Sequence, residues 1–138
     1  MQCADCGAIY SANGDSCRAR FDALLALDHS HQEPWGSRHG QAFAAYALQH
    51  PATFGPSLDR AWVTLYQIYV AGNSATFVFE QLRSRRGALP REWNVPARPG
   101  RPVEHPTVTI ADLAEFEAAS YPLKLDAWCR AALAMWGA

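Results

Sequence analysis

Three of the four cysteines in this chain lie within its first seventeen residues, and this clustering constrains the fold more than any other feature. Cys3 and Cys6 form a Cys-x-x-Cys pair followed by Gly7, and ten residues separate Cys6 from Cys17. Two thiolates at this spacing can bind one ion, and Gly7 allows the positive φ that such turns often need. The ten residues let the chain return to the same ion. Residues 1–17 are therefore predicted to form a metal-binding knuckle.

A tetrahedral zinc ion needs a fourth donor, and the predicted second helix supplies two histidines. His39 and His50 are eleven positions apart, about three turns at roughly 3.6 residues per turn, so they share a helix face with Tyr46. We predict that His50 is the fourth ligand, with His39 as the alternative. The predicted cofactor is zinc, and its predicted ligands are Cys3, Cys6, Cys17 and His50.

Two other interpretations of the cysteines stay open. Cys129 is a further candidate for the fourth ligand, although a lone cysteine on an apolar helix face is more typical of a small buried core residue. Cys3 and Cys6 can also act as a redox dithiol. That motif usually belongs to a βαβ unit, which the sequence does not predict.

Other polar residues give weaker metal-binding candidates. His29, His31 and Glu33 can share an ion across a non-helical turn, but such residues more often belong to a solvated loop. The same holds for His105, which follows Glu104 in a long loop.

Beyond residue 17, hydrophobic periodicity predicts a mainly α fold. Residues 76–79 are β-branched or aromatic, so a short strand competes with a helix there. Thr109 and Asp112 resemble a capping box that would start the fifth helix. The helices are predicted over about residues 17–28, 37–49, 57–72, 74–85, 110–119 and 122–136. We predict a single domain over residues 1–138, a bundle of five to six helices with an N-terminal zinc knuckle and a long proline-rich loop.

The proline-rich loop is predicted over residues 87–108, which hold five of the nine prolines. Half of the basic residues lie in or just before it, with Trp93 among them, so contact with nucleic acid or phosphate is one hypothesis. The net charge of -1 favours a solvated helix end and loop instead. We therefore expect a protein or small-molecule partner and no nucleic acid. The basic residues concerned are Arg83, Arg85, Arg86, Arg91, Arg98 and Arg101.

Composition bears on the class of protein and on its compartment. The chain has 138 residues, of which 49% are hydrophobic and 18% charged, so it can bury a core and does not resemble a disordered protein. No apolar run reaches the roughly 18 residues of a membrane span, and no signal-peptide pattern opens the sequence. We therefore expect a cytoplasmic protein with reduced thiols and no membrane partner.

The assembled motifs resemble those of a bacterial small-protein family defined by a domain of unknown function. The resemblance begins with Cys3 to Ala8, written CADCGA, and continues through Cys17 and His39. Its most specific part is the YALQHP segment from Tyr46 to Pro51, which has the form Tyr-x-x-Gln-His-Pro. The start of the segment at Pro106 and the last helix are also similar. The resemblance implies a metal-binding role for the cysteine and histidine set, and it implies no particular reaction.

Three functions are compatible with these patterns. The first is an accessory or interaction domain in which three thiolates and one imidazole close the coordination of a structural zinc. The second is a zinc-dependent enzyme, hydrolytic or of lyase or cyclase type, with an open zinc position and with His39 or His50 and Tyr46 as acid and base groups. In that case the predicted catalytic residues are His39 and Tyr46. The third is a binder of small ligands or nucleic acid that uses the arginine-rich segment.

Overall fold

The computed structural model shows a mainly α-helical protein and describes residues 1–11, 13–86, 88–90, 93–113 and 115–138. Within those ranges, β pairing is limited to an isolated antiparallel bridge between Gln2 and Ile9. The same ranges contain no helix with both the length and the hydropathy needed to cross a bilayer. The predicted mainly α class is confirmed. The α-helices are α1 (Cys17–His29), α2 (His39–Gln49), α3 (Leu58–Tyr69), α4 (Ala75–Ser84) and α5 (Tyr121–Met135).

Serine caps fix the starts of two of these helices. Ser16 Oγ accepts a hydrogen bond from the Ala19 N–H at 3.0 Å, and Ser74 Oγ accepts one from the Phe77 N–H at 3.1 Å. Each bond satisfies one of the amide groups that a helix N-terminus leaves without an intrahelical partner. The cap at Ser74 explains why residues 76–79 are helical and do not form the competing strand. Short 3-10 turns at Gly36–Arg38 and Gly55–Ser57 lead into α2 and α3.

The core lies where α2 packs against α3 and α5. Tryptophan side chains are fixed there by hydrogen bonds as well as by apolar contact, because a buried indole N–H needs an acceptor. Each of four indole nitrogens donates to an acceptor far away in sequence. The bonds are Trp35 to the Phe116 carbonyl, Trp62 to the Pro96 carbonyl, Trp128 to Gln49 Oε1 and Trp136 to the Leu48 carbonyl, all between 2.8 and 3.0 Å.

The proline-rich segment has no helix between residues 93 and 109, as predicted, but it is anchored along its length. Arg98 forms an ion pair with Asp59 at 3.0 Å and lies over the ring of Trp136, 4.8 Å from its centroid. The Val103 N–H donates to the carbonyl of Met135 at 2.8 Å. The segment therefore packs on the start of α3 and on the end of α5. Of the predicted loop, Gly87, Arg91 and Glu92 lie outside the described residues.

The prediction of a fifth helix over residues 110–119 is wrong. The predicted capping box does form, since Asp112 Oδ2 accepts from the Thr109 N–H at 2.8 Å, but the helical turn ends at Leu113 as a 3-10 turn. Phe116 then has a φ of 55°, and its carbonyl accepts the indole N–H of Trp35. A short helix is marginal without tertiary support, and here the tertiary contact favours a turn. Ala114 lies outside the described residues.

Candidate metal centre

The first two candidate ligands lie on one tight turn. The Gly7 N–H donates to the carbonyl of Cys3 at 3.0 Å, and the Cys3 N–H donates to the carbonyl of Ala8 at 2.8 Å. Gly7 has a φ of 81°, which a residue with a Cβ adopts only with strain. The Ala8 N–H in turn donates to the sulfur of Cys6. The turn therefore brings the thiols of Cys3 and Cys6 to the same side and supplies a backbone donor to one of them.

The third candidate ligand, Cys17, is the first residue of α1. The cap at Ser16 fixes this turn, and the helix N-terminus there favours negative charge on a thiolate. Cys17 Sγ lies 3.6 Å from Cys6 Sγ and accepts a hydrogen bond from the Tyr10 hydroxyl at 3.0 Å. The contact with Cys6 lowers the pKa of the Cys17 thiol, with help from the neighbouring His50 and Tyr10, and raises the pKa of Cys6. The structure thus favours a thiolate at Cys17.

His50 is the fourth candidate ligand and follows the last residue of α2. Its Nδ1 lies 2.8 Å from the Tyr46 carbonyl, which can only accept, so Nδ1 carries the proton. Nε2 is therefore the ring nitrogen left for another partner, and it is buried with no hydrogen-bond partner in the described part of the chain. The Tyr46 ring stacks on the imidazole at 4.0 Å and on Phe21 at 3.9 Å, which fixes the orientation of His50.

The four potential ligand atoms form a compact set. One atom each from Cys3, Cys6, Cys17 and His50 lies within 4.8 Å of the other three. In a tetrahedral site with Zn–S distances of about 2.3 Å, two sulfurs lie about 3.8 Å apart, so the 3.6 Å between Cys6 and Cys17 fits coordination. A disulfide would need about 2.05 Å, and all four cysteines are free. Cys6, Cys17 and His50 are 2–5% exposed, and Cys3 is partly buried. These residues are positioned to bind a metal ion.

The structure places the other candidate ligands elsewhere. Cys129 is fully buried and donates weakly to the carbonyl of Gln41, with 3.7 Å between sulfur and oxygen. Burial raises the pKa of its thiol to about 12, as expected of a core cysteine. His29, His31 and Glu33 do not form a ligand group, because the cysteine and His50 set is the one such group that the described residues contain.

His39 and Tyr46, the two predicted catalytic residues, occupy different environments. His39 begins α2, and at about 1.5 Å per residue it lies about 16 Å along the helix from His50. Its Nδ1 lies 2.9 Å from Asp28 Oδ2, and this hydrogen bond raises the pKa of His39. Tyr46 is 5% exposed, and burial raises its pKa. The structure thus brings Tyr46, but not His39, to the cysteine cluster, and a catalytic role for either stays a prediction.

Sequence reasoning missed two residues of this region. Tyr10 supports Cys17, and its position between the second and third cysteines is the signal that could have found it. Asp28 holds His39, and its position among the buried residues of α1 is the signal that could have found it, because a carboxylate there indicates a buried partner. Gln49, which belongs to the YALQHP segment, donates to the carbonyl of Val108 at 2.8 Å and accepts from Trp128.

Fold and site together define a small, mainly helical protein with a buried set of three cysteines and one histidine. The chain belongs to the family of unknown function DUF5946, whose family model matches residues 1–137. This confirms the resemblance to a family with a domain of unknown function. We found no curated protein and no solved structure that matches the chain.

Proposed function

We propose that the protein binds one zinc ion through Cys3, Cys6, Cys17 and His50, and that the ion is structural. The observation that supports this most is the buried Nε2 of His50, which has no hydrogen-bond partner among the described residues and lies beside three thiols. Burying an acceptor in this way costs free energy unless something binds it, and a metal ion would do so. Thiolate and imidazole ligands are typical of zinc.

Four protein ligands support a structural role because they close a tetrahedral shell. Catalytic zinc sites keep one position for water or substrate, and three thiolates make the ion a weak Lewis acid. His39 lies about 16 Å along α2 from His50, which argues against it as a base for a zinc-bound water and makes the zinc-dependent enzyme the second candidate. We infer an accessory or interaction domain with a protein or small-molecule partner, in a reducing compartment such as the cytoplasm.

The ion would hold the N-terminal segment on the helices. Residues 1–16 contain no helix and pair with one another through a single isolated bridge among the described residues. Cys6, Ala8 and Tyr10 are nevertheless buried in the common core. Structural zinc contributes on the order of 10–16 kcal/mol of binding free energy in small zinc-finger peptides, which is ample to order such a segment.

Metal analysis of matched variants tests this proposal. The purified protein should contain one zinc per chain, and cobalt in its place should give the absorption of a tetrahedral thiolate site. His50→Ala should lose the ion, whereas His39→Ala, a change on the same helix, should keep it. Cys17→Ser should lose it and Cys129→Ser should keep it. Protein that takes up no metal after reconstitution, or His50→Ala protein that binds zinc as tightly as the parent, would overturn the proposal.

A further inference from the structure

A cavity of about 240 Å³ lies between α2, α3 and α4, and its lining includes none of the four metal ligands. Most of its wall is apolar and comes from Phe43, Ala44, Ala61 and Phe79. Gly40 makes this wall possible, because a Cβ there would overlap the Phe79 ring. A mostly apolar cavity with a few convergent polar groups is the usual form of a small-molecule site.

Two nitrogen-rich side chains, His39 and Arg60, also line the cavity, and its described lining contains no acidic residue. Arg60 is positively charged at any physiological pH. His39 is held by Asp28, whose hydrogen bond to Nδ1 raises the His39 pKa. With Nδ1 engaged, Nε2 is the ring nitrogen available to a ligand. His39 and Arg60 therefore give the polar part of the cavity N–H donors for an anionic group, while the Asp28 carboxylate is engaged at Nδ1 on the other side of the His39 ring.

Among the described residues, the Asp28 carboxylate has His39 as its hydrogen-bond partner. Its side chain is 0% exposed, whereas that of His39 is 39% exposed. Oδ2 contacts His39, and Oδ1 is buried without a hydrogen-bond partner among the described residues. Burying a carboxylate that is only half satisfied is costly, and such arrangements are found more often at functional sites than in plain cores. Asp28 is thus a positioning residue for His39.

We propose that this cavity binds a small organic carboxylate, with the apolar body between Phe43 and Phe79 and the carboxylate hydrogen-bonded to His39 and Arg60. The volume lies just below the roughly 300–1,000 Å³ of sites for drug-sized ligands, so the ligand is small, about the size of benzoate. A carboxylate fits better than a bulkier, doubly charged phosphate because most of the described lining is apolar. This site does not depend on the metal.

Titration of the zinc-loaded full chain with sodium benzoate tests the proposal. Nuclear magnetic resonance would follow the imidazole nitrogens of His39 and the backbone amides of Gly40 and Phe79. Benzoate should shift them saturably in the millimolar range. Benzamide, its neutral isostere, should bind at least about tenfold more weakly, which corresponds to ~1.4 kcal/mol.

Variants of His39 and of Asp28 test the role of each residue in benzoate binding. His39→Gln and Asp28→Asn should each weaken benzoate binding about tenfold or more. Asp28→Asn should leave the protein folded, because it removes a half-satisfied buried charge. His29→Gln is the matched control, since its ring lies 5.4 Å from that of His39 but does not line the cavity, and it should bind benzoate normally.

Three results would overturn the carboxylate site. They are shifts that do not saturate, benzamide binding as tight as benzoate binding, and unchanged benzoate affinity in Asp28→Asn. Inorganic phosphate that binds more tightly than benzoate would also overturn it. Zinc content measured on the same samples keeps this outcome distinct from failure of the metal proposal, because neither variant changes a metal ligand.

Discussion

His39 and His50 lie on the same helix, yet the partner of Nδ1 gives each a different chemistry. In His50 the partner is the carbonyl of Tyr46, one turn earlier, which accepts from Nδ1 and leaves Nε2 as the nitrogen open to a metal ion. In His39 the partner is the carboxylate of Asp28 on another helix, which favours the protonated ring. A metal ligand must be neutral imidazole, so the carboxylate of Asp28 works against that role at His39.

Part of this difference could be predicted from sequence. The spacing of Cys3, Cys6 and Cys17 predicted a common site, and the histidine after α2 was the preferred fourth member of that set. Sequence could not identify the partner of His39, because Asp28 reaches it only after α1 and α2 have packed. The hydroxyl of Tyr10 was missed for the same reason, since its contact with Cys17 depends on how the knuckle folds back.

The Asp28–His39 pair predicts a pH dependence of stability. The folded-state pKa of His39 lies above its ordinary value of 6.5, so the pair stabilises the protein fully below that pH. The stabilisation is lost as pH rises through the folded-state pKa. Because His39 is partly exposed and screened by solvent, we expect less than about 1 kcal/mol. Urea unfolding of the zinc-loaded parent and His39→Gln should show a gap near about pH 6 that narrows near about pH 9.

The comparison with His39→Gln removes the contributions of all other groups that titrate in the same range. His29, whose ring lies 5.4 Å from that of His39, supplies the control. The free energy of unfolding of His29→Gln and its pH dependence should stay close to those of the parent. A gap between parent and His39→Gln that stays constant or widens at high pH would contradict the assignment.

At the scale of elements, two helices begin with the same serine cap but differ in what their first turn carries. The first turn of α1 begins with Cys17, whereas that of α4 carries no candidate ligand. Loss of an N-cap hydrogen bond costs about 1 kcal/mol, whichever helix is involved. Ser16→Ala and Ser74→Ala therefore form a matched pair in which only one change loosens a metal ligand.

We expect Ser74→Ala to lose about 1 kcal/mol of unfolding free energy and zinc-bound Ser16→Ala to lose more, because weaker zinc binding adds to the loss of the cap. Only Ser16→Ala should also weaken zinc binding, by roughly 10-fold, a size typical of losing a group that orients a ligand. Competition with a chromophoric chelator measures the affinity, and urea unfolding measures the stability. Equal zinc affinities in the two variants would show that the α1 cap does not position Cys17.

The elements also show where pattern reasoning fails. The other helices were predicted because their apolar faces are long enough to pack, and α2, α3 and α5 do pack on one another. The segment from Ile110 had a correct capping box but only a short apolar stretch, and a hydrogen bond from Trp35 fixed a turn at Phe116. Local start signals predict where a helix can begin, whereas tertiary contacts decide how far it continues.

At the scale of the whole molecule, the stabilising contacts divide into two groups. The helical core is held by buried indoles such as Trp128 and Trp136, which are 0% and 1% exposed. The N-terminal segment joins that core through the cysteine cluster and a few buried side chains. Removal of the metal should therefore release one part of the chain before the other, because cooperative units with few contacts open first.

Chelation tests this division. After treatment with EDTA, hydrogen exchange should speed up in residues 1–17 and at the end of α2 around His50. Amides of α5 and α3 should keep most of their protection, and circular dichroism should lose little helix signal. Mass spectrometry of peptic fragments gives the comparison. Loss of protection throughout α3 and α5 would show instead that the ion supports the entire fold.

The proposed ligands are divided unevenly along the chain, and this has a consequence for biosynthesis. His50 follows Cys17 by 33 residues, so a ribosome makes the three sulfur donors well before the nitrogen donor that completes the set. In that interval the nascent chain has free thiols that can exchange disulfides or bind a softer ion such as Cu(I). Translation that stalls before residue 50 would yield fragments with an open thiol cluster, and cellular quality control would have to remove them.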